Sequence, residues 1–156
     1  MKNLFVKTAV AGVLLASTLF SVTANAQAMD AAASGMKSDA LYMQLGQKAG
    51  LVELMDVFLP KLIADPRLAG RFNAARADYL KGQLVDQICM VSGGPCKYSG
   101  ADMKTAHMGM EIKKAEFNAL VEDLQASMDA KNIPFTTQNA LLARLASMHR
   151  DVITSH

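Results

Sequence analysis

Four runs of apolar residues that recur every three or four positions constrain the fold of this chain more than any other feature. This spacing places apolar side chains on one face of a helix, and no useful length of sequence shows the alternation typical of a strand. Pro66 and the Gly93–Pro95 segment interrupt the pattern, and Thr136 or Thr137 is expected to cap the last helix. The sequence predicts an all-α protein with four substantial helices and short ones before the first and third. The runs cover residues 51–62, 80–91, 117–128 and 141–152.

Residues 1–26 have the pattern of a secretory signal peptide. A basic start, MKNLFVK, precedes an apolar run too short to span a bilayer comfortably and a small-residue stretch with cleavage sites after Ala26 or Ala28. We therefore expect export across the inner membrane, to a bacterial periplasm. A flexible lead-in at 27–39 and one folded domain at 40–156 would follow.

The net charge of the chain limits the kinds of partner that the protein is expected to bind. The chain has 16 basic and 14 acidic residues, and loss of Lys2 and Lys7 with the signal would leave 14 of each. A neutral domain indicates neither a nucleic-acid partner nor attachment to an acidic membrane surface.

Cys89 and Cys96 stand on either side of the glycine–proline break. Along an unbroken helix their Cα atoms would lie about 10 Å apart, beyond the reach of a disulfide. Because Gly93, Gly94 and Pro95 should break the helix, the chain is able to fold back, and an oxidising compartment permits the bond. A disulfide and two buried free thiols are both compatible with the sequence.

His107 follows this break and shares a helix face with Met103 and Met110. A histidine on an apolar face needs partners for its ring nitrogens, and three explanations fit. In the first, His107 is a core histidine bonded to the backbone. In the second, it binds copper together with Met103, Met108 and Met110. In the third, it is an axial ligand of haem iron. Only haem requires a second apolar helix face, which the run at 80–91 provides. Since no Cys-x-x-Cys-His motif is present, such a haem would be non-covalent.

An ordered set of residues around His107 carries a resemblance to a known family. The set is Gly93-Gly94-Pro95, Tyr98, Gly100, Met103-Lys104, His107 and Gly109, supported by LYMQLGQKAGL, DVFLPKLIADPRLAGRF, YLKGQLV and LLARLA. Through these residues the chain, from Leu41 to Ile153, resembles the truncated haemoglobins of the first group. The resemblance implies a truncated globin fold, a two-over-two helical sandwich around haem b, with His107 as the proximal ligand of the iron.

The resemblance also implies which residues contact the cofactor. Phe72 matches the phenylalanine that packs on haem at the corner after the second helix. The other matching contact positions are Phe58, Tyr98, Met103 and Phe117.

Three polar side chains near these positions have two possible roles each. Lys81 and Lys104 would reach a haem propionate or simply be solvated. Tyr98 would donate a hydrogen bond at the haem edge or stabilise its own loop.

The chain departs from the family's pattern on the distal side. Leu59 stands where many members carry a tyrosine, and Leu80 and Leu84 stand where glutamine or histidine is common. A mostly apolar pocket is expected. Gln87 lies three residues after Leu84, a spacing that allows it to reach inward, but a position at the edge or in solvent is favoured. A hydrogen bond to bound oxygen contributes about 1–3 kcal/mol, so its absence predicts oxygen release faster by about tenfold or more.

Taken together, these features predict a globin that binds oxygen, NO or CO reversibly, as a monomer served by an unidentified reductant. A haem enzyme that detoxifies NO or peroxide is a less favoured alternative, because few distal groups would stabilise charge on oxygen. A periplasmic copper-binding helical protein is the other. The family gives His149 no ligand role, and we expect it at an interface or in solvent.

Overall fold

The computed structural model describes residues 39–155, and these residues form helices and no strand. The predicted signal and lead-in, Asp39 apart, lie outside them. In chain order the helices are α1 (Ala40–Gln44), α2 (Gln47–Ala64), α3 (Ala77–Val91), α4 (Met103–His107), α5 (Lys114–Ala130), α6 (Phe135–Ala146) and α7 (His149–Val152), with 3-10 turns at Pro66–Leu68 and Ala74–Arg76. The predicted all-α fold is confirmed. No helix between residues 39 and 155 is long and apolar enough to cross a membrane.

Helix α2 lies at the centre of the core because it packs against both α3 and α5. The apolar face of α2 is buried along its length through Leu51, Leu54, Met55, Phe58, Leu59 and Leu62. Each fully buried side chain of this size contributes about 1.5–3 kcal/mol to the free energy of unfolding. The buried face of α2 therefore fixes α3 and α5 in place. Together the three helices carry six of the predicted site residues, which are Phe58, Leu59, Leu80, Lys81, Leu84 and Phe117.

Two arginines attach the corner after α2 to α5. Arg67 pairs with Glu122, and Arg71 donates to Glu116 at 2.7 Å. The Arg71 guanidinium lowers the pKa of Glu116 because it stabilises the carboxylate. Phe72 follows Arg71 and packs against the core, so these ion pairs hold the corner that carries it.

Helix α3 ends in a tight reversal. Gly93 has a φ of 94°, in the left-handed region that glycine tolerates best. A Cβ at Gly94 would lie 2.6 Å from Cys89 Sγ and 2.7 Å from Tyr42 Cδ2, so no larger residue fits there. The reversal brings Cys96 back until its Cα lies 5.8 Å from that of Cys89, and the two form a disulfide. Of the two states that the sequence allows, the structure has the bridge.

The last apolar run forms two helices instead of one. The Ser147 hydroxyl donates to Arg144 O at 2.7 Å, and Met148 N donates to Leu145 O at 3.0 Å. These local bonds replace the regular helical pattern between α6 and α7. The prediction of one continuous helix is wrong at this point.

The start of α6 also differs from its prediction. The helix begins at Phe135, and Pro134 occupies the position before it, so neither Thr136 nor Thr137 is the cap. Thr137 is buried and donates to Gln44 Oε1 at 3.1 Å, which ties α6 to α1.

Candidate functional site

His107 ends the short helix α4, and its ring is oriented by the backbone of the same helix. Nδ1 lies 2.7 Å from Met103 O, the carbonyl one turn earlier. A carbonyl oxygen only accepts hydrogen bonds, so Nδ1 carries the proton that it donates. In the neutral ring Nε2 is then unprotonated and has a lone pair for a metal ion. This is the arrangement in which a metal-ligating histidine is usually held.

The start of α4 is fixed by a side-chain cap. Asp102 accepts from Thr105 N at 2.9 Å and from Thr105 Oγ1 at 2.7 Å. The bond from the Thr105 backbone is the largest cause that lowers the pKa of Asp102. A five-residue helix is marginal by itself, so this cap and the contacts of α4 with the rest of the protein determine where His107 lies.

Tyr98 belongs to the loop before α4. Its hydroxyl donates to Ala101 O at 2.9 Å, and burial raises its pKa. A phenol has a single proton to donate, and here Tyr98 donates it within its own loop; a hydrogen bond from Tyr98 at the haem edge stays a prediction.

The predicted distal positions form an apolar surface. Phe58 and Leu59 are buried on α2, while Leu80 and Leu84 on α3 are partly buried and pack against the core, as does Phe72 at the corner. None of these five side chains carries a polar atom, so none can donate a hydrogen bond.

Gln87 lies one turn after Leu84, and the prediction that it faces the edge or solvent is wrong. It is only 7% exposed. Its amide nitrogen donates to Met103 Sδ at 3.1 Å and approaches Met148 Sδ at 3.8 Å. The inward orientation was the less favoured of the two that the sequence allowed: the step of three residues from Leu84 permitted it, and the polarity of the amide argued against it.

The two lysines have different surroundings. Lys81 Nζ pairs with Asp56 on α2 at 2.5 Å, so its ammonium already has an anionic partner. Lys104 is exposed on α4.

Phe117 on α5 contacts His149 on α7. The two rings meet edge to face, with centroids 4.9 Å apart and planes at 88°. His149 therefore lies at an interface and supports a residue that matches a cofactor-contacting position.

The methionines of the copper alternative are differently placed. Met108 is 74% exposed and Met110 is 49% exposed, while the Met103 sulfur accepts from Gln87. Within residues 39–155 no three His, Cys, Asp or Glu side chains are grouped to hold a metal ion. A separate surface cavity of about 770 Å³ contains none of the predicted site residues. It is lined by Lys113, Lys114, Ala115, His149, Arg150, Ile153 and Ser155.

A helical fold in which one oriented histidine ends a short helix, with an apolar helix face elsewhere in the core, has the features of a globin. The family model of bacterial-like globins matches residues 40–154. The chain therefore belongs to the bacterial-like globin family and is a haem-binding globin.

Individual relatives agree with this family. A group 1 truncated hemoglobin of Mycolicibacterium paratuberculosis is 28% identical over 114 residues, which is 73% of this chain and 84% of that protein. A group 1 truncated hemoglobin of Tetrahymena pyriformis is 26% identical over 117 residues, 75% of this chain and 97% of that one.

Solved structures have the same fold. The Fe(III) form of the Tetrahymena pyriformis truncated hemoglobin superposes with a TM-score of 0.69 at 26% identity, over 72% of this chain and 97% of that chain. The 2/2 hemoglobin of Synechococcus sp. PCC 7002 has a TM-score of 0.67 at 23% identity, over the same shares. The predicted two-over-two truncated globin fold is confirmed.

The residues of the site fit a haem. Its iron needs a nitrogen with a free lone pair, which the proton on His107 Nδ1 leaves at Nε2. Its flat apolar ring needs apolar walls, and Leu80, Leu84 and Phe72 retain some exposed surface.

Proposed function

We propose that this protein binds a diatomic gas, O2, NO or CO, reversibly at a haem iron held by His107. The observation that carries the proposal is the 2.7 Å contact between His107 Nδ1 and Met103 O. That bond fixes the tautomer and aims the ring. A core histidine would need partners for both ring nitrogens, whereas here Nδ1 alone has a hydrogen-bond partner among the described residues.

The cofactor in this proposal is haem b. A c-type thioether attachment would need free thiols, but the chain has two cysteines, they are bonded to each other, and no Cys-x-x-Cys-His motif is present. Retention of the cofactor then depends on His107 and on apolar contacts from residues such as Phe72, Leu80 and Leu84.

The apolar walls favour gas binding over catalysis. Oxidation of NO or turnover of peroxide benefits from donors that stabilise negative charge developing on oxygen. Leu59, Leu80 and Leu84 provide no donor, so we expect fast O2 release, or a physiological ligand such as NO or CO that needs none.

We further propose that the protein acts as a monomer in the periplasm and receives electrons from an unidentified reductant. The signal-like sequence at 1–26 supports export. The neutral charge of the remaining chain supports a role without nucleic acid or membrane partners.

The absorption spectrum of the haem-loaded protein tests the proximal assignment. Wild-type protein should show a Soret band, and His107→Ala should abolish or strongly weaken it. His149→Phe is the matched control, because it removes the other imidazole of the described residues and keeps an aromatic ring against Phe117, so the Soret band should remain. A Soret band of unchanged position and intensity in His107→Ala would overturn the assignment. A wild-type protein that takes up copper and no haem would favour the copper alternative.

A further inference from the structure

Gln87 is a polar residue with an unusual environment. The residue is almost fully buried, yet within the described part of the chain its amide nitrogen donates only to methionine sulfurs, at 3.1 Å to Met103 and 3.8 Å to Met148. A thioether is a weak acceptor, so this burial costs more free energy than a leucine would at the same place. Packing therefore gives no reason for an amide at this position.

The nearer partner links Gln87 to the candidate ligand of the iron. Met103 accepts from Gln87 through its sulfur and from His107 Nδ1 through its main-chain oxygen. One residue thus receives a hydrogen bond from the distal helix α3 and another from the proximal histidine.

The hydrogen bond from Gln87 to Met103 matters for the position of α4 because this helix is short. A helix of five residues is not stable through its own hydrogen bonds, and the Asp102 cap belongs to the same short segment, so it does not attach α4 to the rest of the protein. The bond from Gln87 joins the first residue of α4 to a 15-residue helix of the core. It acts at Met103, whose carbonyl is the acceptor for His107.

We propose that Gln87 is a positioning residue for His107: through Met103 it fixes the carbonyl that orients the imidazole. This inference rests on the proposed function, in which His107 binds the iron. It gives the buried amide a role in the strength and direction of the axial bond rather than in a direct contact with the gas. Loss of the amide should loosen Met103 and open the His107 Nδ1–H bond more often.

The test measures exchange of the His107 Nδ1 proton with solvent, by proton NMR of the ferric cyanide complex of the haem-loaded full chain. Gln87→Leu removes the amide, and Gln87→Met does the same with an unbranched chain of similar length should the leucine variant fail to fold. We expect the proton to exchange about twofold to tenfold faster than in wild type, which is the change in rate that corresponds to the net free energy of one hydrogen bond. Met148→Leu is the matched control because it removes the other sulfur near Gln87 and leaves Met103 intact, so its exchange rate should equal that of wild type.

A double-mutant cycle with Met103→Leu separates positioning from general loosening. This variant keeps the carbonyl and removes the sulfur, so it should accelerate exchange as Gln87→Leu does, and the double variant should be no faster than either single one. An unchanged rate in the Gln87 variants, even with a lowered melting temperature, would overturn the inference. So would additive effects in the double variant. If instead the cyanide complex shows no histidine on the iron, the proposed function itself fails.

Discussion

Removing the Cys89–Cys96 disulfide should destabilise the protein by an amount that its loop length sets. The bridge joins residues seven positions apart. In the chain-entropy model, closing so short a loop in the unfolded chain contributes about 2–3 kcal/mol at 25 °C. With a urea dependence of about 1–3 kcal/mol per molar for a small domain, the unfolding midpoint should fall by about 0.7–3 M. This is a sizeable part of the stability of a domain of this size.

Urea unfolding followed by far-UV circular dichroism, at a fixed haem concentration, measures this midpoint. Oxidised wild type is compared with wild type under reductant and with a Cys89→Ala/Cys96→Ala variant. Both changes should lower the midpoint, and the alanine variant more, because Cys89 is fully buried and its truncation also loses packing. The alanine variant should not respond to reductant, which controls for other effects of the reagent. Equal midpoints for oxidised and fully reduced wild type, with two thiols titrated in the reduced sample, would refute the reasoning.

Two further substitutions test the distal side and a buried carboxylate. Leu59→Tyr adds a hydrogen-bond donor and should slow O2 release, measured by stopped-flow displacement, by about tenfold or more. Leu59→Phe is the control, because it adds the ring without the hydroxyl. Equal release rates for the two variants would show that no donor acts from this position. Asp123 Oδ2 is buried and has no hydrogen-bond partner among residues 39–155, and burial, together with the nearby Asp65 carboxylate, raises the pKa of this carboxyl above its ordinary 3.8. The charged form is therefore penalised in the folded state, and this cost is complete above the folded pKa. Asp123→Asn should raise the free energy of unfolding at pH 7 by about 1 kcal/mol, and the gain should vanish as pH falls below about 4; a gain that persists at pH 3 would contradict the electrostatic cause.

Local patterns in the sequence were sufficient for the class of fold. A helix forms bonds between residues four apart and buries one face, so apolar spacing predicted α2, α3 and α5 without knowledge of their partners. Helix breakers depend on the backbone of a few residues, and Pro66 and Gly93 accordingly marked the ends of α2 and α3.

The candidate ligand was also evident from the sequence, through family resemblance. His107 stands in an ordered set of glycines and polar residues whose spacing does not depend on distant contacts. The absence of donors at Leu59, Leu80 and Leu84 follows from residue type alone, because a leucine has no polar atom in any conformation.

Other features depended on the path that the folded chain takes, because residue type and spacing left more than one partner open. Gln87 was expected at an edge, but the approach of α4 to α3 buries its amide against Met103, 16 residues away. Tyr98 had two possible acceptors until the loop brought Ala101 O within reach of its hydroxyl. Whether Cys89 and Cys96 pair depends on the path of the reversal between them. In each case the sequence determined which groups were present, and only the folded path of the loop, the reversal or the packed helices decided which partner each group reached.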